Sequence, residues 1–209
     1  MRPGVFLTFE GIDGSGKTTQ LRMLAEKLTA AGHRVVCAQE PGGTRLGLEI
    51  RKILLDAGSR DLRAVPELLL YFASRAQNVE EVILPALREG RIVLADRFTD
   101  ASTAYQGYGR GLGVETVLAL DGIACQGLKP DLTLLIDIDV ETGFRLAAAR
   151  EADRLERESR EFRQRVRDGY LEIHRREPRR VALIDGTRSV EEVAAEIWSV
   201  TESFLKARE

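Results

Sequence analysis

The stretch Val5-Phe-Leu-Thr-Phe-Glu-Gly-Ile-Asp-Gly-Ser-Gly-Lys-Thr-Thr19 runs from an apolar segment with strand character straight into a glycine-rich turn. Within it, Gly11 to Thr18 fits the template G-x-x-x-x-G-K-[ST]. Gly11, Gly14 and Gly16 allow consecutive backbone N–H groups to turn inward around a polyphosphate. Lys17 reaches the outer oxygens, and the Thr18 hydroxyl is placed to hold Mg²⁺. Ile12, Asp13, Ser15 and Thr19 complete the segment expected to wrap the nucleotide. A helix begins at the same point, so its positive N-terminal end faces the same anion. A plain strand-to-helix turn would explain the glycines but not the Lys-Thr that follows them.

Working outward, apolar runs with strand character recur at Val5 to Phe9, Val35 to Ala38, Ile92 to Ala95, Leu132 to Ile138 and Val181 to Ile184, separated by segments of helical spacing. That alternation predicts an α/β fold of three layers, a five-stranded parallel sheet with helices on both faces, of the phosphate-loop NTPase kind. The first helix carries Leu21, Leu24, Ala25 and Leu28 on one face and is expected to stop near Gly32. The last opens at Ser189 with Glu192 three residues on, a capping-box spacing. One domain spanning 1–209 is expected, since 209 residues suffice for one well-buried core.

The formal charge is −2 with both signs intermixed, which gives no footprint for a nucleic-acid polymer or an anionic membrane. No apolar run approaches membrane-spanning length, and the location expected is cytoplasmic. Cys37 and Cys125 stand apart, without metal-ligand spacing, and read as two small core residues in a reducing compartment. The most polar stretch, Arg145 to Arg167, is dense in Arg and Glu with few apolar anchors. It reads either as a solvated helix face or as a lid over the nucleotide.

The strand Arg91-Ile-Val-Leu-Ala-Asp96 brings the Asp96 carboxylate to the carboxyl edge of the sheet, where open α/β folds bind ligands, and makes it a candidate partner of Mg²⁺. A regulatory GTPase should carry a guanine-reading Asn-Lys-x-Asp, yet the chain's one asparagine, Asn78, falls within a helical run. Arg97, beside Asp96, suits a site that grips a second phosphate, because a guanidinium fork binds phosphate oxygens bidentately.

Phe9-Glu-Gly-Ile-Asp-Gly-Ser-Gly-Lys-Thr-Thr19, Glu40-Pro-Gly-Gly-Thr44, Asp96-Arg-Phe through Ala104-Tyr-Gln-Gly107, and Asp153-Arg-Leu-Glu156 follow one another in the order and spacing of bacterial thymidylate kinases. The resemblance spans essentially the whole chain. It implies transfer of the ATP γ-phosphoryl group to dTMP, with Mg²⁺, by a homodimer. The rivals are another nucleoside or nucleotide kinase and, from a different class, a phosphate-loop switch ATPase.

The resemblance also assigns residues. Gly11 to Thr19 would hold ATP, with Lys17 on its phosphates and Asp13 near the acceptor sugar and the metal, while Thr18 and Asp96 would serve Mg²⁺. Arg97 and Arg51 would grip the acceptor phosphate and Glu40 orient the acceptor site. Tyr71, where relatives usually have Phe, would stack on the base, and Arg75, one helical turn on, would donate to a pyrimidine carbonyl. Ser102, Tyr105 and Gln106 would line base and sugar, with Tyr105 crowding a ribose 2′-hydroxyl. No basic residue occupies the variable positions of the phosphate loop. Transition-state charge is therefore expected from a lid at about 145–158, where Arg150 and Arg154 match lid arginines, Arg154 either binding ATP or serving a mainly structural role. Asp185-Gly-Thr187 resembles a loop touching adenine.

Overall fold

In the computed structural model, residues 4–59, 61–147 and 153–208 are described. Each apolar run forms a strand: β1 Val5–Glu10, β2 Val35–Gln39, β3 Ile92–Asp96, β4 Leu132–Asp137 and β5 Val181–Asp185. They make one five-stranded sheet in the order β2-β3-β1-β4-β5, with every pairing parallel. Each strand thus needs a crossover, and the helices supply it: α1 Lys17–Ala30, α2 Arg45–Leu55, α3 Ala64–Asn78, α4 Leu84–Arg88, α5 Thr99–Ser102, α6 Val114–Ala124, α7 Val140–Ala147, α8 Arg160–Arg176 and α9 Val190–Lys206. Two π-helical turns, Val79–Ile83 and Thr103–Gly109, continue α3 and α5.

Successive strand side chains alternate between faces, so β1 feeds two cores. Leu7 and Phe9 pack with Leu21, Leu24 and Leu28 of α1 and Val193 and Ile197 of α9. Phe6 packs on the other side with Leu68 and Phe72 of α3 and Val117 of α6. The helix ends follow the expected chemistry. Gly32 (φ +88°) sits past α1, with His33 N–H donating to Leu28 O at 3.0 Å, and Ser189 with Glu192 closes a capping box on α9.

Two expectations are corrected. Cys125 is buried, but Cys37 is exposed, because β2 is an edge strand paired only with β3 and is incompletely covered. The polar stretch is not short of anchors either. It runs into α8, whose first two turns bury Phe162 and Val166, and Leu155 is buried just before that helix. Residues 148–152 of the expected lid, Arg150 among them, lie outside the described residues.

Candidate active site

The parallel register aligns the carboxyl ends of the strands, Phe9 opposite Asp96 and Gln39 opposite Asp96 on the other side. The phosphate loop leaves β1 there. Gly14 and Gly16 adopt φ +85° and +84°, values that a side chain disfavours, and Gly16 delivers the chain into α1. The loop also leans on α7. A Cβ at Gly14 would lie 2.5 Å from the Gly143 carbonyl oxygen, and one at Gly143 would lie 2.9 Å from that of Asp13.

Lys17 is buried and its ammonium donates to Ile12 O at 2.8 Å, within the loop it is expected to serve. Burial, and after it Arg97, lowers its pKa to about 8 against the pull of Asp13 and Asp96. Thr18 Oγ1 donates to Asp96 Oδ2 at 2.7 Å, so the two residues expected at Mg²⁺ already meet.

Arg97 lines, together with the phosphate loop, a cavity of about 420 Å³. Its Nη2 donates to Asp13 Oδ1 at 2.6 Å and to Tyr105 Oη at 3.2 Å, while Nη1 donates to Gly11 O and Tyr170 Oη, both at 3.0 Å. Tyr105 O–H in turn donates to Asp13 Oδ2 at 2.8 Å. Burial pushes the Asp13 carboxyl up, but Arg97, then Lys17 and the Tyr105 hydroxyl, outweigh it and bring it to about 2. Asp13 is therefore held as a carboxylate that fixes a guanidinium and a phenol at once.

The far wall of the cavity is α3 and the turn after α5. Tyr71 and Arg75 line it one helical turn apart, Ser102, Tyr105 and Gln106 also line it, and Arg51 lines it from α2 and donates to Pro41 O at 2.9 Å. Arg75 is fully buried. Its Nε donates to Glu40 Oε2 at 2.5 Å, and its Nη2 donates to Phe98 O and Ser102 Oγ at 2.9 and 3.0 Å. Its Nη1 has no hydrogen-bond partner among the described residues. Glu40 thus acts by fixing Arg75, and the residue before it, Gln39, takes no part in that pair.

Arg154 is placed elsewhere than the nucleotide loop. Its side chain is buried against α2 and α3, with Nε donating to Leu54 O at 2.9 Å and Nη1 paired with Glu67 Oε2 at 2.7 Å. Gln106 Nε2 donates to the same Glu67 carboxylate at 2.9 Å. Glu67, Gly143 and Tyr170 carry no motif signature, and Glu10, inside the first motif, had no role assigned to it by the sequence. For Gly143 the only signal is a glycine in the first turn of a helix after a strand.

A loop for a polyphosphate, opening into the same cavity as a wall of arginines and tyrosines with room for another ligand, is the layout of a phosphate-loop kinase with a small-molecule acceptor, which a switch protein does not need.

Similarity to known proteins agrees and is more specific. The thymidylate kinase family model matches residues 9–197. A thymidylate kinase of Pelotomaculum thermopropionicum is 50% identical over 206 residues, covering 98% of this chain and 95% of that protein. One of Geobacter sulfurreducens is 49% identical over 204 residues, covering 94% and 96%. The crystal structure of a thymidylate kinase from Ehrlichia chaffeensis superposes with a TM-score of 0.79 at 36% identity, covering 96% of this chain and 99% of that one. The chain belongs to the thymidylate kinase family.

Proposed function

We propose that the protein transfers the γ-phosphoryl group of ATP to dTMP, giving ADP and dTDP. The observation that carries this reading is a single cavity walled at one end by the phosphate loop and at the other by Tyr71 and buried Arg75, whose Nη1 has no partner among the described residues. A buried guanidinium nitrogen without a partner costs stability, and a pyrimidine carbonyl would satisfy it. Tyr71 beside it offers a ring to stack on the base. Arg97 and Arg51 then face the acceptor phosphate, and Lys17 with the loop N–H groups takes the donor phosphates. In-line transfer requires mainly such positioning, together with cations around the transferred group.

Mg²⁺ fits this site. Thr18 and Asp96 present oxygens 2.7 Å apart at the loop, and no cluster of three or more metal-ligating side chains occurs among the described residues. A cation held by a hydroxyl and a carboxylate and otherwise by substrate phosphates is the usual Mg²⁺ arrangement, and it would neutralise charge on those phosphates. With Arg154 engaged by Glu67, we assign the lid's share of transition-state charge to Arg150, within a lid at 145–158. Exposed Leu69 of α3 and Leu118 of the adjacent α6 support a homodimer. No helix among the described residues is long and apolar enough to cross a membrane. We place the reaction in the cytoplasm, where Cys37 and Cys125 stay free.

Release of ADP from ATP·Mg²⁺ against a panel of nucleoside monophosphates tests the assignment. Turnover should be fastest with dTMP and near background without an acceptor. Acceptor-independent hydrolysis at the same rate would instead favour the switch ATPase.

A further inference from the structure

Arg97 leaves the sheet in a backbone conformation that non-glycine residues seldom adopt, φ +72°. Its own N–H still completes the ladder, donating to Phe9 O at 3.0 Å. The next N–H, on Phe98, is turned away from the strand and donates to Glu10 Oε1 at 2.7 Å. The other oxygen of that carboxyl, Oε2, accepts the Tyr170 O–H at 2.8 Å, and Tyr170 Oη accepts Arg97 Nη1 at 3.0 Å. One buried carboxyl therefore grips Arg97 from both ends. It pins the peptide just after the strained residue, and through a phenol it pins the guanidinium.

Glu10 stands at the end of β1 and Tyr170 in the middle of α8, so this clamp joins the sheet to the helix that follows the lid. Both side chains are buried, and the Tyr170 ring packs edge-on to Tyr105 at 6.3 Å. Burial raises the Glu10 carboxyl and Asp100 adds to it, while Arg97 and the Tyr170 and Phe98 donors oppose them. Keeping such a group buried is costly, and its effect is concentrated on one residue.

We propose that Glu10 and Tyr170 are positioning residues for Arg97, holding its guanidinium where the acceptor phosphate arrives. Bond directions make this specific. Tyr170 has one proton, and that proton goes to Glu10, which leaves its oxygen lone pairs for Arg97. Glu10 accepts from both when ionised, above its raised pKa of about 8, whereas a glutamine at position 10 would offer one acceptor and one donor to two donors. If its carbonyl keeps Phe98 N–H, its amide turns the Tyr170 proton toward the guanidinium. Phenylalanine at 170 keeps the ring and removes the oxygen.

The inference rests on the assignment of Arg97 to the acceptor phosphate, and the experiment separates the two. Binding of dTMP and of thymidine, which lacks the phosphate, is measured by calorimetry for the parent, Tyr170→Phe, Glu10→Gln and Arg97→Ala. Tyr170→Phe and Glu10→Gln should each weaken dTMP by roughly tenfold, the scale of one hydrogen bond to a charged group, and leave thymidine within about twofold. A change in overall folding would move both ligands together. Equal losses for the two ligands, or none, while Arg97→Ala loses dTMP selectively, would overturn the inference alone. If Arg97→Ala loses no dTMP selectively, the assignment of Arg97 falls, and the clamp's role falls with it.

Discussion

Arg75 has three nitrogens, and the protein satisfies two of them, through Glu40, Phe98 O and Ser102. On the proposed reading, the third carries the choice of base. Thymine presents a carbonyl oxygen at ring position 4, whereas cytosine presents an amino group there, so with dCMP two donors would meet in a buried place. A site built to hydrogen-bond one group rejects an analogue that cannot comply by about 10⁴, whereas a single methyl in a pocket is worth only ~1–3 kcal/mol. In kcat/KM the expected order is dTMP, then dUMP lower by roughly 10- to 200-fold, then dCMP lower by about 10⁴. Measured under one set of conditions, dCMP accepted as readily as dUMP would remove Arg75 from base reading. The pairing of Tyr71 with Arg75 was legible because four residues along a helix is one turn. The Glu40–Arg75 pair was not, since nothing local links the end of a strand to the middle of a later helix.

The phosphate loop does not hold its shape alone. Its outer wall is the first turn of α7, where Gly143 and Gly14 approach so closely that neither has room for a methyl group. Gly143→Ala would set a carbon 2.9 Å from Asp13 O and 3.1 Å from Ile12 Cδ1. Backbone oxygen cannot give way without moving the loop, and overpacking of this kind costs about 1–3 kcal/mol. The expected result is a KM for ATP raised on the order of tenfold, with thymidine affinity measured by calorimetry unchanged. An unaltered KM for ATP would show that the loop is rigid without α7. The five strands and the loop were legible because apolar runs and glycine spacing are local properties. Packing of one glycine against another, more than a hundred residues later in the chain, leaves no such trace, nor does the exposure of Cys37, which depends on β2 being last in the sheet.

Across the whole molecule, the acceptor wall, the segment leading out of the lid and α2 are tied together at one carboxylate. Glu67 of α3 takes Gln106 Nε2 at 2.9 Å, Arg110 Nη2 at 3.0 Å and Arg154 Nη1 at 2.7 Å, and Arg154 also donates to Leu54 O at the end of α2. Arg154 read as a nucleotide ligand because its motif sits in the lid; Glu67 appears in no motif, so the sequence offered no competing partner. Burial pushes the Glu67 carboxyl up, but hydrogen bonds from Arg110 and Gln106 and the charges of Arg110 and Arg154 more than offset it and hold it below its ordinary value. A carboxyl lowered on folding adds stability that is present above its unfolded pKa and lost as pH falls through the folded one. Glu67→Gln lacks that contribution at every pH, and leaves Arg154 without its counter-charge and Arg110 with Glu158 alone, at a cost of about 3 kcal/mol at pH 7. In denaturant unfolding, the gap between parent and Glu67→Gln should therefore be widest near neutrality. It should narrow as the pH drops below the ordinary carboxylate value of 4.5 and close once the folded protein itself takes up the proton. A gap as wide in acid as at neutrality would mean that Glu67 stabilises the junction by shape, with its charge contributing nothing.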